Sequence, residues 1–287
     1  MTTATDHPRR STLPLAPDLV FDVTEWGPAD GPTLLALHGF PQCADSWSGL
    51  AARLAARGVR VVAFDQRGYS PGARPALDRY TLDEVVQDAI GIADRLGLRT
   101  FHLAGFGMGA VQAWQLAALL PDRVRSLAAL RFPHPRAFAE AVRTDPEQRA
   151  LWAELEKMSP PEPAARALLA DNARGLREFL KGSGMPADVV ERTVSRLDAD
   201  TLPAAIAWHL IPLERFATVG EVAVPTLFLW STGPALAPAT AARCGDHVTG
   251  PFEIRELTGV GHWLLETAAD QLAEPILNLL EQNGTQA

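Results

Sequence analysis

One stretch of the chain, residues 101–118, constrains the fold more than any other. Its sequence is FHLAGFGMGAVQAWQLAA, in which a short apolar run leads into a turn with glycine at positions 105, 107 and 109. The apolar run predicts a buried strand, and the alanine-rich segment after the turn predicts a helix. A turn this tight forces its middle residue into a backbone conformation that costs a residue with a Cβ on the order of 1–3 kcal/mol. Glycine at 107 relieves that strain.

Three further motifs follow predicted strands. HGFP occupies positions 38–41 after the run 33–37, DQRGYS occupies 65–70 after 59–64, and GVGHW occupies 259–263 after 252–257. Between these strands lie helical segments, one of which opens with a capping box from Thr81 to Glu84. Strands alternating with helices indicate an α/β protein with a mostly parallel sheet flanked by helices.

Residues 132–217 differ from the rest of the chain. This segment is helical in pattern, charged and punctuated by proline, and strand signals return only at 224–230. The pattern predicts a helical insertion between two strands of the core. We therefore expect a core domain made of residues 1–131 and 218–287, with a helical cap domain at 132–217.

Taken together, the motifs resemble the α/β-hydrolase fold superfamily, in particular epoxide hydrolases and haloalkane dehalogenases with a helical cap. The resemblance covers about residues 19–280 and rests on HGFP, DQRGYS, the glycine turn and GVGHW. It implies a nucleophile elbow, G-x-Nuc-x-G, in which Ser, Asp or Cys is usual and this chain has Gly107. It also implies that the backbone N–H groups of Phe40 and Met108 form an oxyanion hole and that His262 is the catalytic base.

The resemblance leaves the carboxylate partner of His262 open. In that family an Asp or Glu follows the strand that ends here at Trp230, but residues 231–236 contain neither. Glu266 and Asp246 are alternative partners, and the sequence does not decide between them. Without a carboxylate, nothing fixes the tautomer of His262 or stabilises its imidazolium.

Epoxide hydrolases also carry a cap tyrosine that polarises the epoxide oxygen. Both tyrosines of this chain, Tyr69 and Tyr80, lie outside the predicted cap. We expect Trp208 or His209 to face the pocket instead, with cap-to-core packing as the alternative role. The full set of expected substrate-binding residues is Gly107, Phe106, Trp208, His209, Trp263 and His38.

Because Gly107 has no atom that can attack a substrate, hydrolysis through a covalent intermediate is not expected. The leading prediction is a cofactor-independent, non-hydrolytic enzyme acting on a polyketide-like or aromatic natural-product intermediate. It would stabilise an oxyanion and use His262 for proton transfer during conjugate addition, C–C bond formation or cyclisation. The alternatives are a catalytically inactive small-molecule binding protein and an epoxide hydrolase or esterase-type hydrolase with a substituted nucleophile. The missing acid argues against a single engineered change at Gly107.

Composition and charge restrict the expected partners. The net charge is −8, which gives no basic footprint for nucleic acid or an anionic membrane. Cys43 and Cys244 have neither disulfide-framework nor metal-ligand spacing, and we expect no metal and no cofactor. The polar segment 1–12 reads as a loose tail and no apolar run is long enough to span a membrane, which favours a cytoplasmic protein. The expected partner is an apolar or aromatic small molecule, and the oligomeric state is left open.

Overall fold

In the computed structural model, the described residues 7–233 and 235–284 form an eight-stranded sheet with helices on both faces. The strands are β1 (Arg9–Ala16), β2 (Leu19–Trp26), β3 (Thr33–Leu37), β4 (Arg60–Phe64), β5 (Phe101–Phe106), β6 (Val124–Leu130), β7 (Thr226–Trp230) and β8 (Phe252–Glu256). The α-helices are α1 (Ser48–Ala55), α2 (Leu82–Arg95), α3 (Met108–Leu119), α4 (Pro135–Thr144), α5 (Pro146–Glu156), α6 (Pro161–Gly182), α7 (Ala187–Val194), α8 (Thr201–His209), α9 (Leu213–Phe216), α10 (Pro238–Ala242), α11 (Leu264–Thr267) and α12 (Ala269–Gln282). The strand order is β1-β2-β4-β3-β5-β6-β7-β8, and every neighbouring pair is parallel except β1 with β2 and β2 with β4. The predicted mostly parallel sheet is confirmed.

The central strands are apolar along their whole length because both faces of the sheet are covered. In β3, Leu35 and Leu37 belong to the core under α2, α3 and the inserted helices, whereas Leu34 and Ala36 belong to the core under α1 and α12. Successive side chains of a strand point to opposite faces, so a strand covered on both sides is an apolar run without alternation. The run 33–37 therefore predicted a buried strand correctly.

Helices α4 to α9 lie between β6 and β7, where the sequence predicts the cap. The side chains of His134 and Asp145 accept the amide N–H groups of Arg136 and Glu147, which caps α4 and α5. Residues 170–173 interrupt α6 with non-helical backbone angles. Even α6, the longest described helix, is too polar to span a membrane, and no other helix of the described residues qualifies. The exact bounds of the cap, 132–217, stay a prediction.

Two local predictions are corrected. The segment 9–12, expected to belong to a loose tail, is part of β1 and pairs antiparallel with β2, while residues 1–6 lie outside the described residues. This edge strand is stabilised by packing: Leu15 lies against Gly91 of α2, where a Cβ would be 2.8 Å from the leucine Cδ1. The sequence after GVGHW also predicts one final helix that includes residues 264–280, and the structure divides it at Ala268 into α11 and α12.

Candidate active site

The turn between β5 and α3 has the backbone shape of a strained elbow. Gly107 has φ +55° and ψ −120°, a conformation that is open mainly to glycine and confirms the predicted strain. Gly105 and Gly109 are required for close packing, since Cβ atoms there would lie 2.3 Å from the carbonyl oxygen of Gly109 and 2.2 Å from that of Leu37. Among the described residues outside the turn itself, a Cβ at Gly107 would meet only the Cα of Gly39, at 3.9 Å. The position of the missing nucleophile is therefore open space.

Two buried backbone amides lie beside this space. Phe40 follows β3 and Met108 opens α3, and the two residues are 8% and 3% exposed. In the part of the chain that the structure describes, neither amide donates to a backbone or side-chain acceptor. Buried N–H groups are nearly always paired, and the first amide of a helix has no partner within the helix. Phe40 and Met108 both line one cavity.

His262 lies in the loop between β8 and α11, with its ring edge-on to Phe106 at a centroid distance of 5.8 Å. Arg131, the first residue after β6, donates from Nε to His262 Nδ1 over 3.2 Å and from Nη1 to the carbonyl oxygen of Ser231 over 2.8 Å. A guanidinium can only donate, so Nδ1 must accept and the neutral ring carries its proton on Nε2. Arg131 has φ +71°, which is uncommon for a residue other than glycine and often marks functional sites.

The surroundings of His262 favour its neutral form. Burial, the charge of Arg131 and the nearby His209 lower the pKa of His262 to about 3. Burial also lowers the pKa of Arg131 to about 10, which leaves the guanidinium charged at neutral pH. The role of His262 in proton transfer stays a prediction, and the contact with Arg131 leaves Nε2 as the ring nitrogen that carries the proton of the neutral form.

Neither carboxylate suggested by the sequence reaches His262. Glu266 accepts a hydrogen bond from Gln42 Nε2 over 2.8 Å, and Asp246 pairs with Arg243 over 3.2 Å. Ser231, at the usual place of the acid, donates its hydroxyl to the carbonyl oxygen of Gly261 over 2.8 Å. Within residues 7–233 and 235–284, no carboxylate forms an ion pair or hydrogen bond with His262.

An apolar cavity of about 900 Å³, including its open mouth, lies above the elbow. Its apolar lining consists of Phe40, Phe106, Met108, Phe132, Pro133, Phe138, Trp152, Leu155, Phe179, Ala235, Leu236 and Trp263. Its polar lining consists of Arg131, Ser183, His209 and His262, and no acidic side chain lines it among the described residues. A few polar groups in a mostly apolar lining are typical of a site for a small molecule.

The structure places four of the six predicted substrate-binding residues in the cavity wall: Gly107, Phe106, His209 and Trp263. The structure does not bring Trp208 and His38 to the wall of this cavity. His38 uses both ring nitrogens elsewhere, since Nδ1 donates to the carbonyl oxygen of Gly39 over 2.8 Å and Nε2 accepts from the amide of Gln66 over 3.0 Å. Neighbouring residues of a helix point in different directions. His209 lines the cavity, whereas the ring of Trp208 lies beside His38 with 6.3 Å between the ring centroids.

Arg131 is the site residue that sequence reasoning missed. Its signal was its position directly after β6, at the sheet edge that also carries the elbow and the loop of His262. A charged residue that follows a buried strand at this edge is a candidate for the site. Its partner His262, however, is 131 residues away in sequence.

Comparison with known proteins identifies the family of the chain. The model of the α/β-hydrolase fold family matches residues 32–268. The chain belongs to the α/β-hydrolase-fold family. The predicted fold is confirmed, and so is the predicted resemblance to epoxide hydrolases, as the relatives described next show.

Two curated relatives cover most of the α/β-hydrolase chain. Epoxide hydrolase A of Mycobacterium tuberculosis is 26% identical over 299 residues, with 90% of this chain and 93% of the relative covered. An epoxide hydrolase of Caballeronia sordidicola is 26% identical over 297 residues, with 90% and 89% covered. Among solved structures, epoxide hydrolase A from Mycobacterium thermoresistibile matches with a TM-score of 0.84 at 22% identity, covering 98% of this chain and 100% of that one. An epoxide hydrolase from Bacillus megaterium matches with a TM-score of 0.83 at 20% identity, covering 94% and 100%.

Proposed function

We propose that this chain binds a small, largely apolar molecule through one electron-rich oxygen, stabilises negative charge on that oxygen, and forms no covalent intermediate with it. The observation that carries the proposal is the pair of unengaged amides of Phe40 and Met108 beside Gly107. Preorganised donors in a water-poor cavity stabilise developing charge strongly, and the N-terminus of α3 adds its dipole. Gly107 offers no side-chain atom for covalent attack.

In this proposal His262 is a hydrogen-bond donor. Its Nδ1 accepts from Arg131, which leaves Nε2–H as the ring's donor on the cavity side of the pair. The charge of Arg131 polarises that N–H group toward an electron-rich oxygen. His262 and the two amides then act together on one oxygen without a proton-accepting base.

Hydrolysis by a bound water is the first candidate reaction. The relatives are named epoxide hydrolases, which favours the hydrolase alternative over a non-hydrolytic reaction on a natural product. A Cβ at Gly107 would meet only the Cα of Gly39, at 3.9 Å, outside its own turn among the described residues, and in this proposal a water takes the position of the missing nucleophile. Epoxides and activated esters are accordingly the first substrates to test.

A non-hydrolytic reaction through a stabilised oxyanion is the second candidate. The observation that favours it is the contact between Arg131 and His262, because it removes the base that would activate a water. A polyketide-like or aromatic natural product as substrate remains a prediction from the sequence alone.

The experiment compares the wild-type protein with Gly107→Asp on an aryl epoxide and an activated aryl ester. Turnover is followed in water enriched in a heavy oxygen isotope, and the protein is weighed intact by mass spectrometry. We expect no adduct on the wild-type protein and a heavy oxygen from solvent in any hydrolysis product. The Gly107→Asp variant, which regains a carboxylate in the cavity, should gain the mass of the opened epoxide.

Gly182→Asp is the matched control, because Gly182 is exposed at the end of α6 and a Cβ there meets nothing within 4 Å. It should remain unmodified under the same conditions. A stoichiometric adduct on the wild-type protein would overturn the proposal. Binding without turnover of any substrate would instead identify a binding protein.

A further inference from the structure

We propose that the ligand oxygen is an acidic hydroxyl, of phenol or enol type, which the cavity binds in its ionised form. This inference names the ligand class for the proposed function and rests on the same donors. It goes further than that function, because the oxygen is an anion already in the bound ground state.

Three residues that line the cavity, Phe40, Met108 and His262, can offer hydrogen-bond donors at its elbow end. The amides of Phe40 and Met108 can only donate, and His262 presents Nε2–H because Arg131 occupies its Nδ1. A neutral hydroxyl placed there would have an O–H group that finds no acceptor among these three donors. An ionised oxygen has no proton and can accept from all of them.

The charged groups around the cavity also favour an anion. Arg131, at the end of β6, supplies a positive charge at neutral pH, while His262 and His209 are neutral. Helices α4, α5 and α6 contribute apolar side chains and Ser183, and no acidic side chain lines the cavity within the described residues. Glu266, on α11, accepts a hydrogen bond from Gln42 and does not line the cavity.

The cavity wall is aromatic. Phe132 and Phe138 pack with ring centroids 4.6 Å apart, and Phe138 meets Trp152 edge-on at 5.5 Å. Such walls suit a flat ring, whose faces and edges pack well against other aromatic groups. An ionised hydroxyl on an aromatic or conjugated ring combines the anion and the flat apolar body that the cavity requires.

The test uses para-nitrophenol, whose anion absorbs visible light, and para-nitroanisole, which has the same ring but no ionisable hydroxyl. The absorbance of para-nitrophenol is titrated against pH with and without wild-type protein. We expect the bound phenol to ionise at least one pH unit lower than the free phenol, which corresponds to roughly tenfold tighter binding of the anion than of the neutral form. The binding of para-nitroanisole should be weaker than that of the anion and independent of pH. Proton release to solvent should accompany binding of the phenol below its own pKa.

Arg131→Met removes the charge behind His262 and should abolish most of the shift. Arg143→Met is the matched control, since Arg143 is an exposed residue of α4, and it should keep the wild-type shift. An unshifted or raised ionisation midpoint in the wild-type protein would overturn the inference, and so would equal affinity for the two probes or tighter binding of para-nitrobenzoate. If Arg131→Met does not fold, the comparison of the two probes on wild-type protein still decides. The proposed function is tested separately, by the absence of a covalent adduct.

Discussion

The guanidinium of Arg131 donates from Nε to Nδ1 of His262 across 3.2 Å. In a hydrolytic triad a carboxylate takes this position, accepts a hydrogen bond from the Nδ1–H group and stabilises the imidazolium. A cation at this position donates to Nδ1, which places the proton of the neutral ring on Nε2. Its positive charge also disfavours the imidazolium. The contact therefore favours a neutral His262 ring that carries its proton on Nε2.

The first prediction concerns the protonation of His262. Nitrogen NMR of the ring should show a proton on Nε2 and no titration above about pH 4, in line with the pKa of about 3. Arg131→Glu replaces the cation with a carboxylate beside Nδ1. It should move the proton to Nδ1 and raise the pKa of His262 by more than one unit.

Arg131→Met separates the removal of the cation from the addition of a carboxylate. It should raise the pKa of His262 less than Arg131→Glu does, because burial, the largest cause of the low pKa, remains. A wild-type ring that carries its proton on Nδ1 would contradict the assigned contact.

The second prediction concerns strain at the elbow. Gly107→Ser should lower the free energy of unfolding by roughly 1–3 kcal/mol, because any residue with a Cβ is strained at φ +55°. Gly107→Ala should lose a similar amount, since a Cβ at Gly107 meets only the Cα of Gly39, at 3.9 Å, outside its own turn among the described residues. Denaturant melts of the three proteins measure both losses.

Two other glycines serve as controls for the elbow. Gly109→Ala should be worse than Gly107→Ala, because its Cβ would lie 2.2 Å from the carbonyl oxygen of Leu37. Gly182→Ala, at an open exposed site, should change stability little. A Gly107→Ser protein as stable as the wild type would mean that the elbow is relaxed.

Much of the α/β-hydrolase fold could be predicted because its strands are short apolar runs bounded by turn residues. The run 33–37 matches β3 to the residue, and Thr81 caps α2 by accepting the amide of Glu84 over 3.2 Å. The edge strand β1 was missed because half of its residues are exposed and polar, so local sequence does not distinguish it from a tail. Its pairing with β2 is a tertiary effect.

The candidate site was predictable only where a residue follows a motif. Phe40, Met108 and His262 were located by their positions after strands, and the structure brings them to one cavity. The hydrogen bond from Arg131 to Nδ1 of His262 was not predictable, because it joins two side chains on loops that are distant in sequence. The choice between Trp208 and His209 depends on the rotation of α8, which its nearly uniform burial does not reveal.

The last prediction is that stability falls as the pH is lowered below about 6.5. His38, His102 and His134 are almost completely buried, and burial lowers their pKa values to about 3, 4 and 3. Between the ordinary histidine pKa and these values the unfolded chain binds more protons than the folded one. The free energy of unfolding then falls by about 1.4 kcal/mol per pH unit for each such histidine.

Glu266 acts in the opposite direction, because burial raises its pKa to about 7 and the folded chain then binds the extra proton. It offsets part of the loss, and the raised pKa values of Asp22, Asp65 and Asp88 act in the same direction. The lowered pKa values of His209 and His262 add to the effect of the three histidines, and we expect a net decrease. Urea melts at pH 7.5, 6.5 and 5.5 should show the net decrease. His102→Asn keeps a polar group beside Ser126. This variant should reduce the slope of the unfolding free energy against pH by the contribution of one histidine. A wild-type stability that is flat over this range would mean that the buried histidines are protonated in the folded state, against the pKa values that their burial dictates.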